Sequence, residues 1–141
     1  MTFSRTASYA ISALVYLAGQ PDGKRSGAQE ISSRQGIPIS FLEKILQTLR
    51  RRGMLRAARG THGGYEFAVP PQQISLLQVL ETFGEAVGPQ QCLLSMQGCC
   101  HTEPCLLHHL WADLRREFLN RLAGTTVADL AARRAEKGAI E

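Results

Sequence analysis

Four cysteines, Cys92, Cys99, Cys100 and Cys105, fall within fourteen residues, and His108 follows the last of them by three. Six residues separate Cys92 from Cys99 and five separate Cys99 from Cys105. A thiolate is a soft anionic ligand that stabilises soft and borderline cations, so three thiolates and an imidazole suit either an iron–sulfur cluster or zinc. Zinc sites usually carry closely spaced Cys-x-x-Cys pairs, and this segment has none. A disulfide switch and inert buried thiols are the other two readings of such a cluster. His108 enters the set through its spacing from Cys105, whereas nothing in the sequence gives His109 a role.

A second chemistry is cationic. Arg50-Arg51-Arg52, Arg56 and Arg59 lie around the glycine-rich run Gly60-Thr61-His62-Gly63-Gly64. Phosphates need cations held in register, and glycines let backbone approach a duplex closely. From Met1 to Pro70 ten Lys/Arg stand against four Asp/Glu, and from Pro71 to Glu141 six stand against eight, so the net charge of +4 divides into +6 and −2. A basic first half and a slightly acidic second half point to a polyanion-binding module followed by a sensing or pairing module.

These groups need a scaffold, and 141 residues with 44% hydrophobic content can bury one core plus an appended element. No apolar run reaches the roughly 18 residues of a membrane span. Ile11–Ala18 is interrupted by Ser12 and followed by no cleavage pattern, so a cytoplasmic protein without membrane contact is expected. The chain has no glycine-rich phosphate loop or recognisable nucleophile motif. Neither catalysis nor a small-molecule substrate is expected.

Helical spacing of Ala10, Ala13, Leu14 and Leu17 predicts a first helix over Thr6–Ala18, stopped by Gly19, Pro21 and Asp22-Gly23. Ser26 with Gln29 has a capping-box pattern and opens a short helix closed by Gly36; Ser40 with Glu43 repeats the pattern and opens another, closed by Gly53. Its apolar stripe is Leu42, Ile45, Leu46 and Leu49. Two short helices around a tight turn form a helix-turn-helix. Met54–Ala58 and Tyr65–Val69 then read as a β-hairpin, or wing. Ser75 with Gln78 caps a further helix, with Leu76, Leu77, Leu80 and Phe83 as its buried face. Leu107, Leu110, Trp111, Leu114, Phe118 and Leu122 mark the longest helix, and Val127–Arg134 a short last one with frayed residues beyond. Glu43 has two readings: completing a capping box, or accepting a hydrogen bond from a cytosine amino group in a major groove.

Tyr9-Ala10, Ile31-Ser32-x-Arg34-Gln35-Gly36-Ile37, Ser40-Phe41-Leu42-Glu43, Arg59-Gly60-x-x-Gly63-Gly64-Tyr65 and Cys105-Leu106-x-His108-x-Leu110-Trp111 occur in this order. With these motifs the chain resembles the bacterial Rrf-two family of winged-helix transcription regulators, in its IscR- and NsrR-like branch, over roughly Met1 to Arg134. The resemblance implies a DNA-binding homodimer that senses iron–sulfur, redox or nitric-oxide status through a cluster held by Cys92, Cys99, Cys105 and His108. Cys99 keeps the five-residue gap to Cys105 and is taken before Cys100 as the middle ligand. The first gap is one residue longer than in the family, and Ser8 stands where NsrR-like members carry a carboxylate ligand. A two-iron (2Fe-2S) cluster is therefore expected, with a four-iron (4Fe-4S) cluster and an outside ligand as the second form.

The expected fold is mostly α: a winged helix-turn-helix with a two-stranded β wing and a long C-terminal dimerisation helix. Residues 1–83 form the DNA-binding domain, 84–105 the linker and cysteine loop, and 106–134 the dimerisation helix and a short C-terminal helix. Contacts to a double-stranded operator are expected from Arg5, Ser40, Phe41, Glu43, Lys44, Arg51, Arg59, Gly60, His62 and Gly63. The alternatives are a cluster-free regulator that senses oxidants through its thiols, and a small zinc-binding protein.

Overall fold

The computed structural model describes residues 3–85 and 106–140, with side chains as far as Glu136. The first helix, α1 (Arg5–Ala18), starts where the Ser4 hydroxyl accepts from the Ala7 N–H and turns Ala7, Ala10, Ala13, Leu14 and Leu17 inward. Next come α2 (Ala28–Gln35), α3 (Ile39–Arg51) and the strands β1 (Leu55–Ala58) and β2 (Gly64–Phe67). After a single 3-10 turn at Pro71–Gln73 come α4 (Leu76–Thr82), α5 (Leu106–Gly124) and α6 (Val127–Ile140). Three helices and an antiparallel hairpin in this order make the winged helix-turn-helix expected from the sequence.

Two of the predicted caps differ. The N-cap of α2 is Gly27, and Ser26 is buried one residue earlier, its N–H donating to the Tyr65 carbonyl at 3.1 Å and its carbonyl accepting from the Tyr65 N–H at 2.8 Å. Pairing with the wing claims Ser26 for extended backbone and removes it from the cap. In α3 the N-cap is Pro38, whose carbonyl accepts from the Leu42 N–H at 3.0 Å. The proline's fixed φ suits a helix entrance and starts the helix ahead of Ser40. Ser40 and Glu43 thus both lie inside α3 and form no capping box. Gly36 does close α2 in the left-handed conformation, with φ 64°.

Leu14 of α1, Ile31 of α2, and Leu42, Leu46 and Leu49 of α3 meet Leu55 of β1 and Ile74 in one core. The α3 stripe read from the sequence is buried as expected. In α4 the Ser75–Gln78 capping box is present, and Val79 and Leu80 are the fully buried residues. Leu76, Leu77 and Phe83 are half-buried and pack against the smaller cluster of Ala7, Leu80 and Leu122 between α1, α4 and α5.

The C-terminal helix is longer than Val127–Arg134. Thr126 and Asp129 cap each other's backbone N–H groups, at 3.1 and 2.9 Å, and the helix continues to Ile140. It returns to the first half of the chain: Val127 is fully buried in the core with Leu14, and its N–H donates to the Ile74 carbonyl at 2.9 Å. Helix α5 behaves differently. Its C-terminal end is rooted by buried Leu122 and by Phe118 stacked on Phe3, whereas Leu106, Leu110 and Leu114 are 76%, 51% and 60% exposed.

The wing pairs Leu55 with Phe67, Arg56 with Glu66, Ala57 with Tyr65 and Ala58 with Gly64. Gly64 adopts φ 141°, and a Cβ there would lie 2.7 Å from the Ser26 carbonyl carbon. Gly64→Ala is therefore expected to cost about 1–3 kcal/mol in backbone strain alone, with further loss from displacing Ser26. Chemical denaturation monitored by circular dichroism checks this; a variant as stable as the parent would contradict the close approach.

Candidate nucleic-acid interface

Burial of Leu42, Ile45, Leu46 and Leu49 turns the opposite face of α3 to solvent. Ser40, Phe41, Glu43, Lys44, Gln47, Arg50 and Arg51 are all exposed there. Helical neighbours three and four apart bring Ser40, Glu43, Lys44, Gln47 and Arg51 into one stripe. Thr48 is occupied within the helix, donating to the Lys44 carbonyl at 2.9 Å and accepting from Arg51 Nη2 at 3.4 Å. Glu43 makes no hydrogen bond among the described residues and, freed from the predicted capping box, is available to an outside donor.

The wing supplies a second group. Arg59, Gly60 and His62 are exposed at its tip and Gly63 is half-buried, with the Gly63 N–H donating to the Gly60 carbonyl at 2.9 Å. Gly60 has φ 108°, and a Cβ on Gly63 would run into the Ala58 carbonyl. Only glycines serve this turn, and the close-packed tip presents Arg59 and His62 outward. Arg5 is exposed at the start of α1, away in sequence from both groups.

Charge pairing divides the basic residues of the first half. Lys24 pairs with Glu30 at 3.4 Å, and Arg25 and Arg56 both pair with Glu66 at 3.2 and 2.9 Å. Among the described residues Arg5, Arg34, Lys44, Arg50, Arg51, Arg52 and Arg59 have no carboxylate partner within 4.0 Å. Arg56, grouped by sequence with the other arginines around the wing, is thus partly neutralised by Glu66. The residues left unneutralised concentrate on α3, its C-cap and the wing tip, the pattern a phosphate backbone recognises.

The Arg25–Glu66–Arg56 clamp was not anticipated. Its signal was available: Arg56 and Glu66 are equidistant from the hairpin's centre and so face each other as an opposite-charge cross-strand pair. Hydrogen bonds from Arg56, then from Arg25, hold the Glu66 carboxyl below the usual carboxylate range. The stability this gives is complete at neutral pH and is lost only as pH falls through the lowered value. The Tyr16 hydroxyl similarly donates to Glu30 at 2.7 Å and keeps that carboxyl ionised, tying α1 to α2.

Of the expected cluster ligands, Cys92, Cys99 and Cys105 lie outside the described residues, as does Cys100. His108 is in the first turn of α5, partly exposed, its ring edge-on to that of His109 with centroids 5.7 Å apart. Among the described residues, which contain no cysteine, no three His, Asp or Glu side chains gather as metal ligands. Among the described residues His108 thus has no neighbouring set of metal ligands.

The sequence profile of the Rrf2 family, described as an iron-dependent transcriptional regulator, matches residues 3–133. A protein of Aquifex aeolicus named for an HTH-type transcriptional regulator is 36% identical over 132 residues, covering 92% of this chain and 91% of its own. The HTH-type transcriptional regulator IscR of Aliivibrio salmonicida is 31% identical over 130 residues, covering 92% and 77%. Among solved structures, CymR, the global cysteine regulator of B. subtilis, superposes with a TM-score of 0.82 at 21% identity over 94% of this chain and 98% of its own. IscR of T. potens superposes with a TM-score of 0.76 at 21% identity, over 98% and 90%. At this identity the two structures establish the fold.

Arg59→Ala is expected to weaken duplex binding and to reduce the slope of log affinity against log salt by about one unit, the scale of a single phosphate contact. Fluorescence anisotropy across a salt series measures both. An unchanged slope and affinity would remove the wing tip from the interface.

Proposed function

Because the chain belongs to the Rrf2 family of transcription regulators, we propose that it is a cytoplasmic, homodimeric DNA-binding regulator whose operator affinity is set by an iron–sulfur cluster. The observation that carries the DNA part is the stripe on α3: among the described residues, the Glu43 side chain has no partner and Lys44, Arg50 and Arg51 have no carboxylate nearby. In this reading α3 enters the major groove, with Ser40, Phe41, Glu43 and Lys44 at base edges and Arg51 on phosphate. Arg59, Gly60, His62 and Gly63 follow the adjacent groove, and Arg5 holds a flanking phosphate. Residues 1–83 act as the reading domain, 84–105 as the cysteine loop, and 106–134 as the pairing and C-terminal helices.

Homodimerisation is supported by α5. Its nineteen residues span about 28 Å, and Leu106, Leu107, Leu110 and Leu114 leave an apolar stripe uncovered in one chain. A second α5 laid along this stripe buries it and carries two reading heads on one rigid element. A twofold axis then matches half-sites about one helical turn, roughly 34 Å, apart.

The donor set fits an iron–sulfur cluster. Thiolates are the ligands such clusters require, an imidazole is an accepted substitute, and His108 lies three residues beyond Cys105 with its ring partly open to solvent. Cys92, Cys99, Cys105 and His108 would hold the cluster, preferentially of the 2Fe-2S type. When bound it supplies a centre that responds to electrons, oxidants or nitric oxide. His108 would hold that centre from the first turn of α5, the same element proposed to pair the subunits. The chain's own contribution is to convert the state of the cysteine segment into the position of α5, and thence the spacing of the reading heads.

Cys92→Ala, Cys99→Ala and Cys105→Ala are each expected to abolish stable iron binding under anaerobic purification. Cys100→Ala retains it, and His108→Ala leaves a labile remnant. Iron and sulfide analysis with visible absorbance measures this. Loss in Cys100→Ala with retention in Cys99→Ala would exchange the middle ligand. A colourless parent protein holding zinc, or one with a reversible disulfide and no iron, would contradict the cluster.

A further inference from the structure

Every large apolar residue of α3 except one is turned inward. Leu42, Ile45, Leu46 and Leu49 are no more than 3% exposed, and Ile39 is half-buried, whereas Phe41 is 51% exposed. Apart from Phe41, the large hydrophobic residues exposed among the described residues all belong to α5. Phe41 is therefore a single aromatic ring set in a polar and cationic face, in the first turn of α3, next to Ser40 and two residues before Glu43. Lys44, three residues on, lies beside it on the same helix surface. No aromatic neighbour stacks on it among the described residues.

What such a ring can recognise follows from the surroundings. Among the described residues Lys44, Arg50 and Arg51 lack carboxylate partners, so the surface around Phe41 favours a polyanion over an apolar protein face. On the floor of a major groove the exposed apolar group is the C5-methyl of thymine; the other base-edge groups there are hydrogen-bond donors and acceptors. A phenyl ring makes no hydrogen bond and gains only by covering carbon, so its one favourable target in that groove is this methyl.

We propose that Phe41 is a specificity-determining residue whose ring packs on a thymine C5-methyl in each operator half-site. This rests on α3 being the helix that enters the major groove. Ser40, Glu43 and Lys44 then read polar edges beside a base that Phe41 identifies by its methyl. The Phe41 contact disfavours cytosine at that position because the methyl is missing.

The test uses the full-length protein and the duplex it selects from a random pool. Each thymine of the selected site is replaced in turn by deoxyuridine, which removes the methyl alone, and affinity is measured for the parent, Phe41→Ala and Lys44→Ala. For the parent, one thymine per half-site is expected to lose roughly three- to fourfold in affinity on methyl removal, the scale of one buried methyl group. In Phe41→Ala that loss disappears, while the melting temperature and salt dependence match the parent because the ring is exposed and uncharged. Lys44→Ala lowers the salt slope and keeps the methyl effect. No thymine with a methyl effect, or the same effect retained in Phe41→Ala, overturns the assignment to Phe41 and leaves α3 in the groove. Unchanged affinity and salt slope in Lys44→Ala, with no methyl effect in any protein, overturns the placement of α3 and the proposal with it.

Discussion

The interface depends on one close approach of backbone to backbone. Ser26 and Tyr65 exchange both of their main-chain hydrogen bonds, at 3.1 and 2.8 Å, and Gly64 allows the two segments to come near enough to do so. Each such bond contributes only about 0.5–1.5 kcal/mol net, but together they set the register between the wing and the chain before α2. The residues beside the pair, Arg25 and Glu66, form an ion pair across the same junction, and Arg56 completes it from the neighbouring strand. The wing is thereby anchored to the entrance of α2, and through the shared core to α3. A wing held this way presents Arg59 and His62 in a defined relation to the α3 stripe, which a freely hinged hairpin would not.

The second half of the chain divides between two tasks. Helix α6 returns to α1 and buries Val127 beside Leu14, so the core of the reading domain is completed from the far end of the sequence. Helix α5 is rooted by Leu122 and Phe118 at its C-terminal end and carries its uncovered leucines, with His108, toward its start. A continuous helix rooted in the core thus joins its exposed start to the reading domain. In the proposed dimer, a change at its first turn would reach both the subunit contact and the core of the reading domain.

Much of this was legible in the sequence because the signals were local and redundant. The 3.6-residue spacing of Leu42, Ile45, Leu46 and Leu49, the glycines of the wing and the basic first half all point to a winged helix-turn-helix. The caps were less legible, since Ser26 and Ser40 look alike as cap residues while their fates were decided by distant partners: Tyr65 for the first, and the entrance set by Pro38 for the second. Misreading Ser40 also left Glu43 suspended between a structural and a recognition role, and the position of α3 removes the structural one. The length of α6 was hidden because its charged sequence shows no sign of the α1 surface that stabilises it. The pairing of Arg56 with Glu66 required the cross-strand register to find. The cysteine segment lies outside the described residues, so its chemistry rests on ligand type and on His108.

The central claim is that the Cys/His-held cluster and the operator are read by one coupled molecule, and a single titration tests it most directly. Anaerobically purified protein is divided, one portion is stripped of iron, and both are titrated against the same selected duplex at fixed salt. The account predicts operator affinities that differ on the order of 5–150-fold, the span of a typical allosteric coupling. It also predicts that reconstitution with iron and sulfide restores the starting value, and that His108→Ala narrows the difference. Equal affinities for the loaded and stripped dimers would contradict it.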